Sequence, residues 1–309
     1  MTHTVGIIGI GHVGAAVAEA LVLRQSVSKL ILIDKQDAKA QAEMYDLADQ
    51  NTFLTPGTQI QQIAYAEAWQ LSECDVLVMA AGNISLLGGE NANRLAELKN
   101  SIKIVKAVAP KIKASGFKGI LINITNPCDV VVTYLQQQTG IDRQRIFGTG
   151  TLLDTARMRH AVARVLGCSQ QDVSGYVLGE HGESQFCAWS TVQVNGVPVE
   201  SLAQAKGMNL DQLNQEAKAG AWRIVAGKGY TCYGIGLTAA TLVEAVLNDS
   251  RQAFPLSAYS AEFDAYVGQV VHVGQHGLLD HVALPLRPEE VDAFADSAKQ
   301  IHQHVADIR

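Results

Sequence analysis

The first half of the chain alternates short apolar runs with longer stretches of helical periodicity. Residues 5–10, 30–33, 76–80 and 120–124 are such runs, with a shorter one at 146–147. They are apolar at nearly every position, as expected of strands covered on both faces, so they predict a parallel sheet with crossover helices. Helical patterns lie between them, notably at 13–23 and Arg94–Ala114, the latter closed by Gly116. The second half changes character. A helical stretch at 153–166 leads to a strand at Val173–Leu178, and then 189–194 and 197–199 flank Asn195-Gly196, the pair that a tight hairpin turn prefers. Pro288 opens a final amphipathic helix with Val291, Phe294, Ala298, Ile301, Val305 and Ile308 on one face. The predicted fold is α/β: a Rossmann-type doubly wound parallel sheet over 1–147, followed by an α+β substrate domain over 148–309. No repeat, low-complexity tract or Ser/Pro-rich linker separates them.

Composition narrows the class. The 309 residues exceed the ~250–300 at which a single core usually stops growing, and 48% are apolar. No run reaches the ~18 apolar residues of a membrane span. No basic leader precedes the first apolar run, so a cytoplasmic protein with no membrane association is expected. A net charge of −6 and the absence of a basic run argue against a nucleic-acid partner. Cys74, Cys128, Cys168, Cys187 and Cys232 are scattered and odd in number, which predicts buried reduced thiols, with neither a disulfide framework nor a metal site.

Gly9, Gly11 and Gly14 spell G-x-G-x-x-G where the first strand gives way to a helix. The first glycine permits the turn, the second lets backbone approach a pyrophosphate, and the third lets helix and sheet pack closely. Asp34 ends the next strand, 20 residues beyond Gly14. A carboxylate there accepts hydrogen bonds from ribose hydroxyls and repels a 2′-phosphate, favouring NAD over NADP, although the adjacent Lys35 weakens that exclusion. Farther on, Asp154 and Arg157 stand three apart on a predicted helix and share a face. His181 lies on a loop between Gly179-Glu180 and Gly182. Singly, the first is an ordinary helix ion pair and the second an ordinary loop histidine; their joint occurrence behind a dinucleotide fold points to chemistry.

With these motifs the chain resembles the L-lactate/malate dehydrogenase family, and within it the L-2-hydroxyisocaproate dehydrogenases. The resemblance rests on Gly9-Ile10-Gly11-His12-Val13-Gly14, Asn126-Pro127, the 148–158 segment with Asp154 and Arg157, the 179–186 segment with His181, and Lys228-Gly229-Tyr230-Thr231. It implies an NAD-dependent L-2-hydroxy-acid dehydrogenase, interconverting small 2-oxo and 2-hydroxy acids and assembled as a homotetramer. His181 is then the acid–base, held by Asp154, which fixes its tautomer and favours the imidazolium. Arg157 grips the substrate carboxylate through paired hydrogen bonds. Arg94 matches a mobile-loop arginine that polarises the carbonyl. Asn126 matches a residue beside carbonyl and nicotinamide, and Thr231 and Ile235 match positions lining substrate and cofactor.

Specificity in this family is read largely from the loop at 83–93. Here it carries no Arg or Lys, whereas malate enzymes place an arginine there for a second carboxylate. Enclosing an unpaired carboxylate would cost several kcal/mol, so malate is disfavoured. The glutamine usual in lactate enzymes is also missing, and Ile84, Leu86 and Leu87 could face a larger side chain, each buried methylene contributing about 0.8 kcal/mol. A 2-oxoisocaproate-like substrate is the expectation, with pyruvate the alternative. Fructose 1,6-bisphosphate activation in related bacterial enzymes uses an arginine and a histidine; Arg159 matches the first, but Ser174 stands at the second. The rival from another class is a redox-inactive NAD-binding regulator, which loss of His181, Asp154 or either arginine would favour.

Overall fold

The computed structural model describes residues 3–83 and 94–307, with side chains described from 3–83 and 96–307. Strands β1 (Thr4–Ile8), β2 (Lys29–Ile33), β3 (Gln59–Gln62), β4 (Val76–Met79), β5 (Ile120–Asn123) and β6 (Ile146–Gly148) pair in parallel in the order β3-β2-β1-β4-β5-β6. Chain order therefore reverses between β1 and β4, and doubly wound sheets bind ligands above the carboxyl ends of the strands at such a point. Ile8 is level with Ile33 on one side and Met79 on the other, so the three strands end together.

Helices α1 (His12–Leu23), α2 (Asp37–Asn51), α3 (Arg94–Ala114) and α4 (Cys128–Thr139) connect these strands. Successive strand residues serve opposite cores. Ile7, Val76 and Val78 join Val17 and Leu21 of α1, whereas Ile8, Leu77 and Met79 join Val105 and Val108 of α3 and Val131 of α4. This two-sided burial is why the strands read as unbroken apolar runs. The first run is nevertheless shorter than its apolar stretch, because Gly9 turns out of the strand at φ +91°. β3 is the exception: it lies at the sheet edge, with every second residue exposed.

In the second half, α5 (Leu152–Leu166) precedes an antiparallel sheet of β7 (Val173–Leu178), β8 (Phe186–Val194) and β9 (Val197–Pro198). Asn195 and Gly196 join the last two with φ of 49° and 82°, as a type I′ hairpin turn requires. α6 (Val199–Lys206) and α7 (Leu210–Lys228) cover this sheet, enclosing Met158, Val162, Val177, Val192 and Leu213. The next helix, α8 (Tyr233–Leu247), returns to the first half, where Leu242 and Val243 share the core of α1.

The large sheet continues beyond β6. β10 (Gln252–Ser260), β11 (Ala265–Gly274) and β12 (Gly277–His281) extend it antiparallel to nine strands, joined to β6 at Gly148↔Ser257. The point in the chain where the sequence changes character thus lies inside one continuous sheet. α9 (Pro288–Ala306) closes the fold and buries Ile301 beside Val267 of β11.

Candidate active site

Two hollows of about 480 and 460 Å³ share Gly11, Gln36, Ala80, Gly82 and Asn83 as lining at the carboxyl ends of β1 and β4. The glycine turn lies at the junction. A Cβ on Gly9 would stand 2.4 Å from Ala81 Cα, and one on Gly14 would stand 1.9 Å from the Gly9 carbonyl oxygen. Gly11 differs: no heavy atom lies within 4 Å of the Cβ it lacks, so its missing side chain leaves open space. Gly11 also caps α1 without any side-chain cap, leaving first-turn N–H groups free of intrahelical partners. This cradle suits a pyrophosphate. Asp34 lines the second hollow; its Oδ2 accepts from the Ile10 N–H at 2.7 Å and its Oδ1 from the Gln36 N–H at 2.9 Å. Lys35, Lys39, Tyr65 and Lys103 complete that wall.

The first hollow holds the charged cluster. Asp154 and Arg157 project from one face of α5, and the loop after β7 brings His181 to them. Asp154 is 2% exposed. Its Oδ1 accepts from Arg157 Nη1 at 2.8 Å, and its Oδ2 lies 2.6 Å from His181 Nδ1. Both His181 and Arg157 line the cavity. Burial alone would lower the His181 pKa, but the charge and hydrogen bond of Asp154, helped by the charge of Asp129, outweigh it and raise the pKa above its ordinary value against opposition from Arg157. Burial alone would raise Asp154, yet His181 and Arg157 together hold it below the ordinary carboxylate value. With Nδ1 on the carboxylate, Nε2 is the ring nitrogen left for a reacting group.

Asn126, Thr231 and Ile235 line the same cavity. Asn126 follows β5, its bond to Pro127 is cis, and its carbonyl accepts from Ser101 Oγ of α3 at 2.7 Å. Thr231 and Ile235 come from the turn between α7 and α8 and the first turn of α8. Arg94 begins α3, but its side chain, and residues 84–93 with Ile84, Leu86 and Leu87, lie outside the described residues. Arg159 stands apart, donating from Nη2 to the Gly175 carbonyl at 3.2 Å, and Ser174 is exposed on β7.

Sequence reasoning missed Asp129 and Ser257. Asp129 is 2% exposed in the first turn of α4; its Oδ2 accepts from the His181 backbone N–H at 2.8 Å and its Oδ1 from Ser257 Oγ of β10. The available signal was a single acid within Cys128-Asp129-Val130-Val131-Val132. Also unforeseen is His12, within the glycine motif, stacked on Tyr230 with ring centroids 3.6 Å apart. All five cysteines are free thiols, four buried and Cys168 half-buried. Among the described residues no group of three or more His, Cys, Asp or Glu is placed to hold a metal, and no helix is long and apolar enough to cross a membrane.

An acid–base imidazole backed by a buried carboxylate, an arginine beside it and an anion cradle at the far end suit reduction of a carboxylate-bearing carbonyl. Comparison with known proteins agrees. Residues 3–148 match the lactate/malate dehydrogenase NAD binding domain, and residues 151–309 match the lactate/malate dehydrogenase alpha/beta C-terminal domain. An L-lactate dehydrogenase of Fusobacterium nucleatum is 34% identical, covering 98% of this chain and 96% of that protein. L-lactate dehydrogenase 2 of Listeria monocytogenes is 33% identical over 98% of each. The crystal structure of a minor L-lactate dehydrogenase from Enterococcus mundtii superposes with a TM-score of 0.92 at 29% identity, covering 100% of this chain and 99% of that one. The cofactor is NAD, and the chain belongs to the lactate/malate dehydrogenase family.

Proposed function

We propose that this family member is an NAD-dependent L-2-hydroxy-acid dehydrogenase that reduces pyruvate to L-lactate and catalyses the reverse reaction. The observation that carries this reading is the 2.6 Å Asp154–His181 contact in a cavity lined also by Arg157 and the Gly11 turn. Residues 1–147 supply the cofactor cradle, with Gly9, Gly11, Gly14 and Asp34, and residues 148–309 supply the substrate chemistry. Bound NADH supplies the hydride for C2 of the oxo acid. Arg157 holds the substrate carboxylate with the guanidinium N–H groups that Asp154 leaves free, fixing the carbonyl relative to the cofactor. Protonated His181 donates from Nε2 to the carbonyl oxygen as it gains charge, while Asp154 stays ionised and stabilises the imidazolium. Asn126 and, by resemblance, Arg94 polarise the same oxygen; Thr231 and Ile235 wall the cavity. In the reverse direction, neutral His181 accepts the hydroxyl proton.

The names of the relatives favour pyruvate over the branched acid expected from the 83–93 loop. That loop, with Ile84, Leu86 and Leu87 and no cation, supports the second reading, a 2-oxoisocaproate-like substrate. NADH oxidation with pyruvate, 2-oxoisocaproate, phenylpyruvate and oxaloacetate separates them. Highest kcat/KM for pyruvate is expected; a higher value for 2-oxoisocaproate would restore the branched reading. Fastest turnover of oxaloacetate would overturn the exclusion of dicarboxylates, and NADH binding with no turnover would favour a redox-inactive regulator. A cytoplasmic homotetramer follows by resemblance. Exposed Tyr233 and Leu237 on α8 and Tyr45 on α2 are consistent with a covered surface, and light scattering after size exclusion tests it.

A further inference from the structure

The loop carrying His181 is anchored at several points. Gly179 exchanges backbone hydrogen bonds with Gly268 of β11, at 2.9 and 2.8 Å. The Glu180 N–H donates to Ser297 Oγ of α9 at 2.6 Å, and Ser184 Oγ donates to the Glu180 carboxylate at 2.6 Å. The anchor at His181 itself is of another kind: its N–H meets Asp129, a carboxylate buried on α4 and steadied by Ser257. A carbonyl or hydroxyl would satisfy a backbone N–H equally well, and a buried carboxylate is expensive to keep ionised. Its charge therefore calls for a separate reason. The neighbouring charges supply one, since Asp154 faces two cations, Arg157 at 2.8 Å and the His181 ring at 2.6 Å, and a single carboxylate balances only one of them.

We propose that Asp129 is a positioning residue for His181, fixing the imidazole through its backbone N–H and balancing the charge of the protonated ring. The proposal rests on the acid–base role given to His181 above and deepens it. The titratable groups around the pair are few. Asp154 and Arg157 face the ring from α5, and Glu180 lies beside Asp129 with its carboxylate turned toward Ser184 and His304. Cys128, next to Asp129, and Cys187, near Asp154, have their thiols pushed up to about 12 by burial and stay neutral, and Lys218 donates to the Glu183 carbonyl. Burial pushes Asp129 up to about 6, held back by the hydrogen bonds from Ser257 and the His181 N–H. Asp129 is therefore ionised at pH 7 and above, the range in which the imidazolium must be retained.

The test uses the full chain with NADH bound, comparing wild type with Asp129→Asn and Ser257→Ala. Asparagine keeps an acceptor for the His181 N–H and removes the charge; Ser257→Ala withdraws one donor and so drives Asp129 toward its neutral form. The readouts are the NMR titration of His181, identified by the signal lost in His181→Asn, and the pH profile of kcat/KM for pyruvate. Asp129→Asn is expected to lower the His181 pKa by about one unit, cutting reduction about tenfold on the alkaline side with NADH affinity unchanged. Ser257→Ala moves the titration in the same direction by less, and decides the matter alone if Asp129→Asn does not fold. An unchanged His181 titration in the folded variants, or a rate loss uniform across pH that follows thermal stability, overturns the proposal. If wild type turns over no 2-oxo acid, the functional reading fails, and the NMR titration still decides what Asp129 does to His181.

Discussion

At one end of the cleft the chain withholds side chains; at the other it buries charge. The nucleotide end is built on Gly9, Gly11 and Gly14 and backbone N–H groups, with Asp34 held by two backbone donors and Lys35, Lys39 and Lys103 along the wall. The catalytic end packs Asp154, Arg157, His181 and Asp129 together, with both aspartates 2% exposed. The glycine turn works by shape, so its failures are steric and affect binding. The catalytic end works by electrostatics in a poorly solvated site, so its failures affect rate and pH dependence. Damage at either end should carry a distinct signature.

The sharpest break comes from Asp154→Asn. Removing the group that holds the tautomer and raises the imidazole pKa is expected to lower kcat by about 10³–10⁴-fold while NADH still binds. The pH profile carries the sign. The His181 pKa is raised, so reduction in wild type persists above the ordinary imidazole value of 6.5 and declines as pH climbs through the shifted value. In the variant burial prevails, and the decline begins at lower pH. The same pair affects stability: the raised His181 contributes fully below 6.5 and the lowered Asp154 fully above 3.8, so urea titrations of the wild-type chain should lose stability outside that window on both sides.

Arg157→Lys comes next. It keeps the charge and loses the planar fork, so kcat/KM for the oxo acid should fall about 10²-fold, read from initial rates, with NADH affinity unchanged. Gly14→Ala probes the other end. A methyl group 1.9 Å from the Gly9 carbonyl oxygen forces α1 away from the glycine turn, costing about 1–3 kcal/mol in thermal unfolding and weakening NADH, measured by fluorescence, without moving the pH profile. Asp34→Asn should narrow the preference for NADH over NADPH by about tenfold in kcat/KM, since the repulsive charge goes while the nearby lysines stay. The smallest effect is none: fructose 1,6-bisphosphate should leave the pyruvate saturation curve in place, because Ser174 stands where the resemblance calls for a histidine.

These two ends were not equally legible in the chain. The bounds of α3 and β7 and the I′ hairpin could be read directly, because periodicity and turn chemistry are local. α4 was hidden by its Val130-Val131-Val132 run, which has the composition of a strand but is helical between sheet and α3. β3 gave no signal because a sheet edge need not be apolar. Glycines announce a steric constraint by identity and spacing, which made the nucleotide end plain. Asp154, Arg157 and His181 could be named from their motifs. Asp129 could not, since its partners His181 and Ser257 are 52 and 128 residues away and only the fold unites them.

The antiparallel extension of the sheet bears on anyone wishing to cut this protein down to a stand-alone nucleotide-binding module. Gly148 of β6 is paired with Ser257 of β10, so a fragment ending near residue 148 would strip β6 of its outer neighbour and bare an apolar edge of Ile146 and Phe147. Such a margin invites intermolecular strand pairing. The excised piece should therefore clump, and a soluble miniature would have to retain the distant β10–β11 hairpin, grafted or complemented in trans.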